Sequence, residues 1–319
     1  MRFVAYEQSR STPNIVVDGS PNEATVLTLT HWPGIPQPAG LAADLSAEMA
    51  FRYVDDPCAH APADAVTNNH FDQDGLVSAH ALIEPDLAQA NRELLIDVAA
   101  AGDFGTYRFR SAARASMTIA RMGESLDHGD PAAVADAYER GLRDLLTMAI
   151  EPERFRDRWA DEDAALTASE EAIRNGVVTI TDHPEAELAV VDIPENLTGL
   201  GGHRFGGQRF EGLHPMAINN ATDRLRLLLV HGRRYRYVDR YETWVQTRSR
   251  PIPLRVDLAP LAETLDAAEH RDTSWSAKPP GTLTPRLDHT GTSSLDREMV
   301  IALVRDHLRT APSAWNPFP

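Results

Sequence analysis

The first third of the chain alternates short apolar runs with stretches whose apolar residues recur at helical spacing, the pattern of a layered α/β domain. Asn14-Ile15-Val16-Val17 reads as a buried strand ending at Asp18, before the turn Gly19-Ser20-Pro21-Asn22. Ala24 to His31 reads as a second strand, and Leu45 to Tyr53 as a helix with Ser46 and Glu48 on its polar side. Ala65-Val66-Thr67-Asn68 is a third, short strand, soon followed by the apolar run Leu76 to Leu82 of a helix. One further helix is expected from Asp86 to Ala101, closed by Gly102 as its C-terminal cap. From Ser111 to Asn175 the pattern stays helical, with a stripe of Val134, Ala137, Tyr138, Leu142, Leu145, Leu146 and Ala149, then a second amphipathic stretch from Phe155 to Arg174.

After Asn175-Gly176 the texture changes. Val177 to Ile180, Ala189 to Ile193, Arg224 to His231 and Arg234 to Val238 read as strands. Thr181-Asp182-His183-Pro184 reads as a hairpin turn and Gly199 to Gly207 as a loop. A last helix runs from Ser294 to Arg309, with acidic residues at its start and basic ones at its end, and Trp275 and Trp315 read as packing anchors. The expected fold class is therefore α/β: residues 1–175 form a layered domain with a largely parallel sheet, and residues 176–319 a smaller α+β domain.

Composition narrows the function classes. A length of 319 residues is long for one core, and 42% hydrophobic with 24% charged residues is globular. A net charge of −16 argues against a basic surface that grips duplex nucleic acid, although a bound cation or local arginines can invert the field inside a cleft. The single cysteine, Cys58, allows no intramolecular disulfide. No signal-peptide core and no membrane-spanning apolar run occurs, so a soluble, cytoplasmic protein without membrane partners is expected.

The chemistry concentrates at strand ends. In Thr67 to Ser78, the residues His70, Asp72 and Asp74 stand at alternate positions, and in extended chain such side chains share one face. Two carboxylates and an imidazole, without thiolate, suit Mn²⁺, Mg²⁺, Fe²⁺ or Zn²⁺. The competing reading is structural: Asp72 caps the next helix while Asp74 and Gly75 make a turn. Because ligands in open α/β sheets bind beyond the carboxyl ends of the strands, Asp18, His31, His70, Asp72 and Asp74 are expected to meet at one sheet edge.

The run His70-Phe71-Asp72-Gln73-Asp74-Gly75-x-x-Ser78 resembles the first motif of the DHH phosphoesterase superfamily, whose members are Mn²⁺- or Mg²⁺-dependent hydrolases of phosphodiesters, pyrophosphate and related substrates. The likeness covers about a dozen residues. The chain departs from that pattern in lacking an Asp-His-His triplet, since Pro184 follows Asp182-His183, and in placing two candidate strands before the motif. The resemblance implies a further metal-binding aspartate near the end of the following helix, for which Asp103 is the candidate and Asp97 its competitor. Gly201-Gly202-His203 resembles the glycine-rich, histidine-bearing loop of the family's second domain, though it lies farther from the chain's end.

Taken with the resemblance, the expected function is divalent-metal-dependent hydrolysis of a small phosphorylated molecule or nucleotide. His70, Asp72 and Asp74 form the catalytic centre; Asp18, Asp103 and His31 complete the metal ligands; His203, Arg204 and Arg234 contact substrate phosphate. Mn²⁺ or Mg²⁺ is the expected cofactor, with Fe²⁺ or Zn²⁺ as alternatives, and a homodimer is compatible with this reading. The rival is a regulatory protein that keeps the scaffold without turnover. Nucleophile-elbow, Walker and dinucleotide-binding motifs are absent from the sequence.

Overall fold

The computed structural model describes residues 1–127, 129–198, 212–270, 272–283 and 286–319. Two compact units are seen: residues 1–163 with 245–250 and 318–319, and residues 164–244 with 251–317. The sequence places the change at 175/176; the chain passes from one unit to the next within a helix instead, and residues 245–250 and 318–319 return to the first unit.

In the first unit β1 (Arg2–Phe3), β2 (Asn14–Val17), β3 (Thr25–Leu29) and β4 (Ala65–Thr67) form one sheet in the order β1-β4-β2-β3, and every pairing is parallel. A short helix, α1 (Tyr6–Ser9), joins the first two strands. The parallel neighbours β2 and β3 are joined by residues 18–24 alone, where a dozen residues are usual. Asp18 makes this feasible: its φ of +45° reverses the chain directly after β2, and its N–H donates to Leu29 O at 2.9 Å. Asn14, Asn22 and Thr25 then lock the return, with Asn14 Nδ2 donating to Asn22 Oδ1 and Thr25 Oγ1 to Asn14 Oδ1.

Helices α2 (Ser46–Asp55), α3 (Gln73–Ile83), α4 (Pro85–Ala90), α5 (Arg92–Asp103), α6 (Arg110–Gly123) and α7 (Pro131–Ile150) pack around that sheet. α3 is central, with Gln73 through Leu82 all buried against α2, α5 and α7. Each large apolar side chain on it, Leu76 and Val77 among them, contributes about 1.5–3 kcal/mol through burial. The single helix expected over 86–101 is two, broken at Asn91, whose amide donates to Leu87 O. Gly102 is no cap: the helix runs on to Asp103. Its missing side chain lets α5 approach α3, because a Cβ there would lie 2.6 Å from Gln73 Cβ.

α8 (Arg156–Arg174) carries the chain into the second unit. There β5 (Thr179–His183), β6 (Leu188–Ile193), β7 (Arg226–His231), β8 (Arg234–Asp239), β10 (Ser274–Ala277) and β11 (Arg286–Thr290) form a mixed sheet in the order β10-β11-β8-β7-β6-β5. The pair β6–β7 is parallel and the rest antiparallel. One face carries Leu188, Val190, Leu228, Val230, Tyr235, Tyr237 and Leu287 into a core with α10 (Ala259–Ala268) and α11 (Arg297–Thr310). The other carries Val191, Ile193, Leu227 and Leu229 into a smaller core with Ile218 of α9 (Pro215–Ala221). A two-stranded sheet pairs β9 (Arg255–Val256) with β12 (Ser313–Trp315).

The turn after β5 begins at Pro184, later than the sequence suggests, and Glu187 closes it with φ +54°. The last helix starts at Arg297, capped by Asp296 rather than Ser294, because Ser294 instead bonds Glu269. α10 and the strands β9 to β12 are not foreseen from hydrophobic spacing, since strands this short carry little repeating pattern. No helix among the described residues is long and apolar enough to cross a membrane.

Candidate metal centre

All six residues read as metal ligands lie at one end of the parallel sheet, beyond the carboxyl ends of β2, β3 and β4. They form two groups that share Asp18: Asp18 with His31, Asp74 and Asp103, and Asp18 with His70 and Asp72. Within each group the candidate ligand atoms lie within 4.8 Å of one another, close enough to surround one cation.

Local chain chemistry delivers each side chain. Asp18 stands at the tip of β2 in a left-handed conformation that costs a non-glycine residue about 1–2 kcal/mol. Ser46 at the start of α2 holds it, with Oγ donating to Asp18 Oδ1 at 2.8 Å. Such strain at a buried carboxylate is typical of positions kept for function. His31 follows β3, and its Nδ1 donates to Asp44 O at 2.6 Å, which fixes the tautomer and turns Nε2 toward the carboxylates. Nε2 stands 3.2 Å from Asp103 Oδ2, 3.4 Å from Asp18 Oδ1 and 3.8 Å from Asp74 Oδ2.

The residues 70–74 converge, but not as an extended strand. β4 ends at Thr67, a loop follows, and α3 begins at Gln73, so Asp72 is a helix cap and Asp74 sits in the first turn. Asp72 is the cap of the structural reading, with Oδ1 accepting from Gly75 N at 2.9 Å, and its other oxygen, Oδ2, lies 2.8 Å from His70 Nε2. Gly75 is helical rather than a sharp turn. Its lack of a side chain is needed for space, because a Cβ would lie 2.3 Å from Asn68 Nδ2 and 2.5 Å from the buried Tyr138 hydroxyl. Asp74 points at the N-terminus of α2, accepting from Ser46 N at 2.8 Å and Ala47 N at 2.7 Å, so a helix dipole helps hold its charge.

Asp103, not Asp97, joins the cluster. Asp97 instead accepts from the backbone N–H groups of Arg108 and Phe109, which secures the start of α6. Arg234 lines a cavity of about 470 Å³ on the sheet of the second unit, with His231 and Arg236. His203 and Arg204 lie outside the described residues.

The electrostatics are lopsided. Burial pushes Asp74 well above the usual carboxylate range, and the charges of Asp18 and Asp103 push it further. Burial lifts Asp103 to about 7, against the lowering effect of His31. For the histidines burial disfavours charge, but the carboxylates prevail: Asp103, Asp18 and Asp74 lift His31 to about 10, and Asp72 and Asp18 lift His70 well above its ordinary value. Asp18 is held below the usual range although burial opposes this, through His70, His31 and Ser46. With Nδ1 committed to Asp44, Nε2 of His31 meets the three carboxyl groups through a shared proton or a metal ion.

The donor set passes the corresponding test of fit. Four carboxylates and two imidazoles, with no thiolate, are hard-to-borderline ligands of the kind taken by Mn²⁺, Mg²⁺, Fe²⁺ or Zn²⁺. Four carboxylate charges balance two divalent cations when both imidazoles are neutral. The His31 group is buried, whereas His70 and Asp72 are 21% and 28% exposed, and the ring of Trp32 lies 5.1 Å from that of His70.

Over residues 1–318 the chain matches a family described as of unknown function, DUF6687. It belongs to that family. No curated protein and no solved structure matches it. Sequence reasoning missed the groups behind the ligands: Ser46, Asn68, Asp44 and Tyr138 carry no motif, and only the position of Ser46 before an apolar helical run hinted at a role.

Proposed function

We propose that the protein is a divalent-metal-dependent phosphoester hydrolase acting on a small phosphorylated molecule or nucleotide. The observation that carries this reading is Asp18: one buried carboxylate, in a strained backbone conformation, offers Oδ1 toward His31 and Oδ2 toward His70 and so belongs to both ligand groups. A carboxylate common to both ligand groups would help hold two neighbouring cations, and paired cations suit phosphoryl chemistry. The chemistry that bound cations supply is activation of water and neutralisation of charge on the phosphoryl oxygens.

The chain's own residues do the rest. Asp74 and Asp103 hold the closed side with His31, and α2 fixes Asp74 through two backbone N–H groups. His70 and Asp72 form the open side, where a substrate phosphate arrives, and Asn68 Oδ1 anchors the His70 backbone N–H at 3.0 Å. The resemblance to DHH phosphoesterases points to the same class of chemistry, and the location beyond the strand ends is where open α/β sheets bind ligands.

Elemental analysis of the purified chain is expected to find bound Mn, Fe, Zn or Mg, and Asp72→Ala and Asp74→Ala are expected to remove it. A phosphodiester and phosphomonoester screen with added Mn²⁺ should show turnover that drops at least about 100-fold in both variants. Metal retained without turnover on any phosphoester would favour a binding or regulatory role, which the missing Asp-His-His triplet would then explain.

A further inference from the structure

The connection from β3 to α2 is a long irregular loop containing His31 and Asp44, three prolines and two glycines with positive φ, Gly34 and Gly40. Loops of this length are mobile unless tied down. Here the tie comes from residues 245–250, which belong to the first unit although they lie more than 200 positions later in the chain. Gln246 is fully buried and its backbone and side chain are engaged throughout. Its N–H donates to His31 O at 2.9 Å, and Nε2 donates to Trp32 O at 2.7 Å and Ile35 O at 2.6 Å. Its carbonyl accepts from Gln37 Nε2, and its Oε1 accepts from Arg248 Nη2.

The other end of the loop is held by the same segment. Asp44 Oδ1 accepts from Arg248 N at 2.5 Å and Ser249 N at 2.8 Å, and Ser249 Oγ donates to Asp44 Oδ2. The backbone carbonyl of Asp44 is the group that receives Nδ1–H of His31. One six-residue segment therefore fixes both the backbone of His31 and the acceptor that orients its ring.

We propose that Gln246 and Asp44 are positioning residues for the His31 ligand, and that the 245–250 segment sets metal affinity in the closed group, Asp18-His31-Asp74-Asp103, selectively. This rests on the metal reading above. Partners behind a ligand commonly matter about 10- to 100-fold in metal affinity, and a glutamine serving two carbonyls has no apolar substitute.

The test is Mn²⁺ binding to the full-length chain, followed by electron paramagnetic resonance of the free ion. The native chain is expected to bind two ions. Gln246→Met should weaken one of them about tenfold or more and the other less than about threefold. His31→Ala should weaken the same ion, and the Gln246→Met/His31→Ala double variant should bind no worse than His31→Ala alone, because both act through one ligand. Asp44→Asn, which keeps an oxygen acceptor for the two N–H groups, should bind within about twofold of the native chain, whereas Asp44→Ala should follow Gln246→Met. Equal weakening of both ions, an additive double variant, or native affinity in Gln246→Met overturns the proposal. If Gln246→Met fails to fold, the Asp44 pair decides it by the same criteria. A native chain that takes up no Mn²⁺ overturns the metal reading and this one together, whereas Mn²⁺ uptake insensitive to these substitutions overturns this one alone.

Discussion

The two units bury charge in opposite ways. In the second, buried charges meet an opposite charge or a neutral hydrogen-bonding group: Arg240 Nη2 meets Glu242 Oε1 at 2.7 Å, Tyr237 Oη donates to Asp239 Oδ1 at 2.7 Å, and Arg255 donates to the carbonyls of Pro280 and Thr282. In the first, Asp18, Asp74 and Asp103 are buried facing one another, and the basic groups that meet the cluster are imidazoles. A paired network locks a fold, whereas crowded buried carboxylates, held in place by strain and a helix dipole, shift one another's protonation and those of the imidazoles they meet.

Truncating a matched partner should have the largest effect on folding. Glu242→Ala leaves Arg240 buried without its carboxylate and is expected to cost about 3–5 kcal/mol of stability while leaving metal content unchanged. Denaturant melts and elemental analysis of the same sample read both quantities, and loss of metal would erase the distinction between the units. Neutralising a carboxylate of the first unit should have the opposite sign. Asp103→Asn removes a charge that burial and Asp18 disfavour, so at pH 8 the metal-free chain should gain about 1 kcal/mol or more even as metal binding weakens. A destabilised metal-free variant would show that the cluster is balanced after all.

The smallest effect expected is a pH drift. His31 is lifted from 6.5 to about 10 and Asp103 from 3.8 to about 7, so the folded metal-free chain holds protons that the unfolded chain releases. Stability from both groups is complete at low pH and is lost as pH rises, between about 4 and 7 for Asp103 and between about 6.5 and 10 for His31. Thermal melts in chelator from pH 5.5 to 9.5 should show Tm falling by a few degrees. With Mn²⁺ the stabilisation should grow with pH instead, since metal displaces protons. A metal-free Tm that rises over this range would contradict the assigned shifts.

Much of the first unit is legible in the sequence because strand ends and helical stripes are local signals. Val16 and Val17 lead to Asp18, and Ala65 to Thr67 lead to the His70 loop, so strand-tip convergence follows from pattern alone. The route of convergence is less legible. Extended spacing of His70, Asp72 and Asp74 suggests one face of a strand, whereas a loop and a helix start achieve it, because Asp72 and Gly75 are as well suited to α3's first turn. Gly75 and Gly102 show the same limit: their role is space for Tyr138 and Gln73, which only tertiary packing reveals. Gln246 is invisible in the sequence, since an amide between Val245 and Thr247 announces nothing about a loop 200 residues earlier.

That distant amide bears on any attempt to dissect the gene. A fragment stopping at Asp163 would keep every candidate ligand yet omit the stretch that threads back to brace one of them. Co-expressed halves, or a short graft of residues 245–250, would be the way to learn whether the site can be carried away from the rest of the polypeptide.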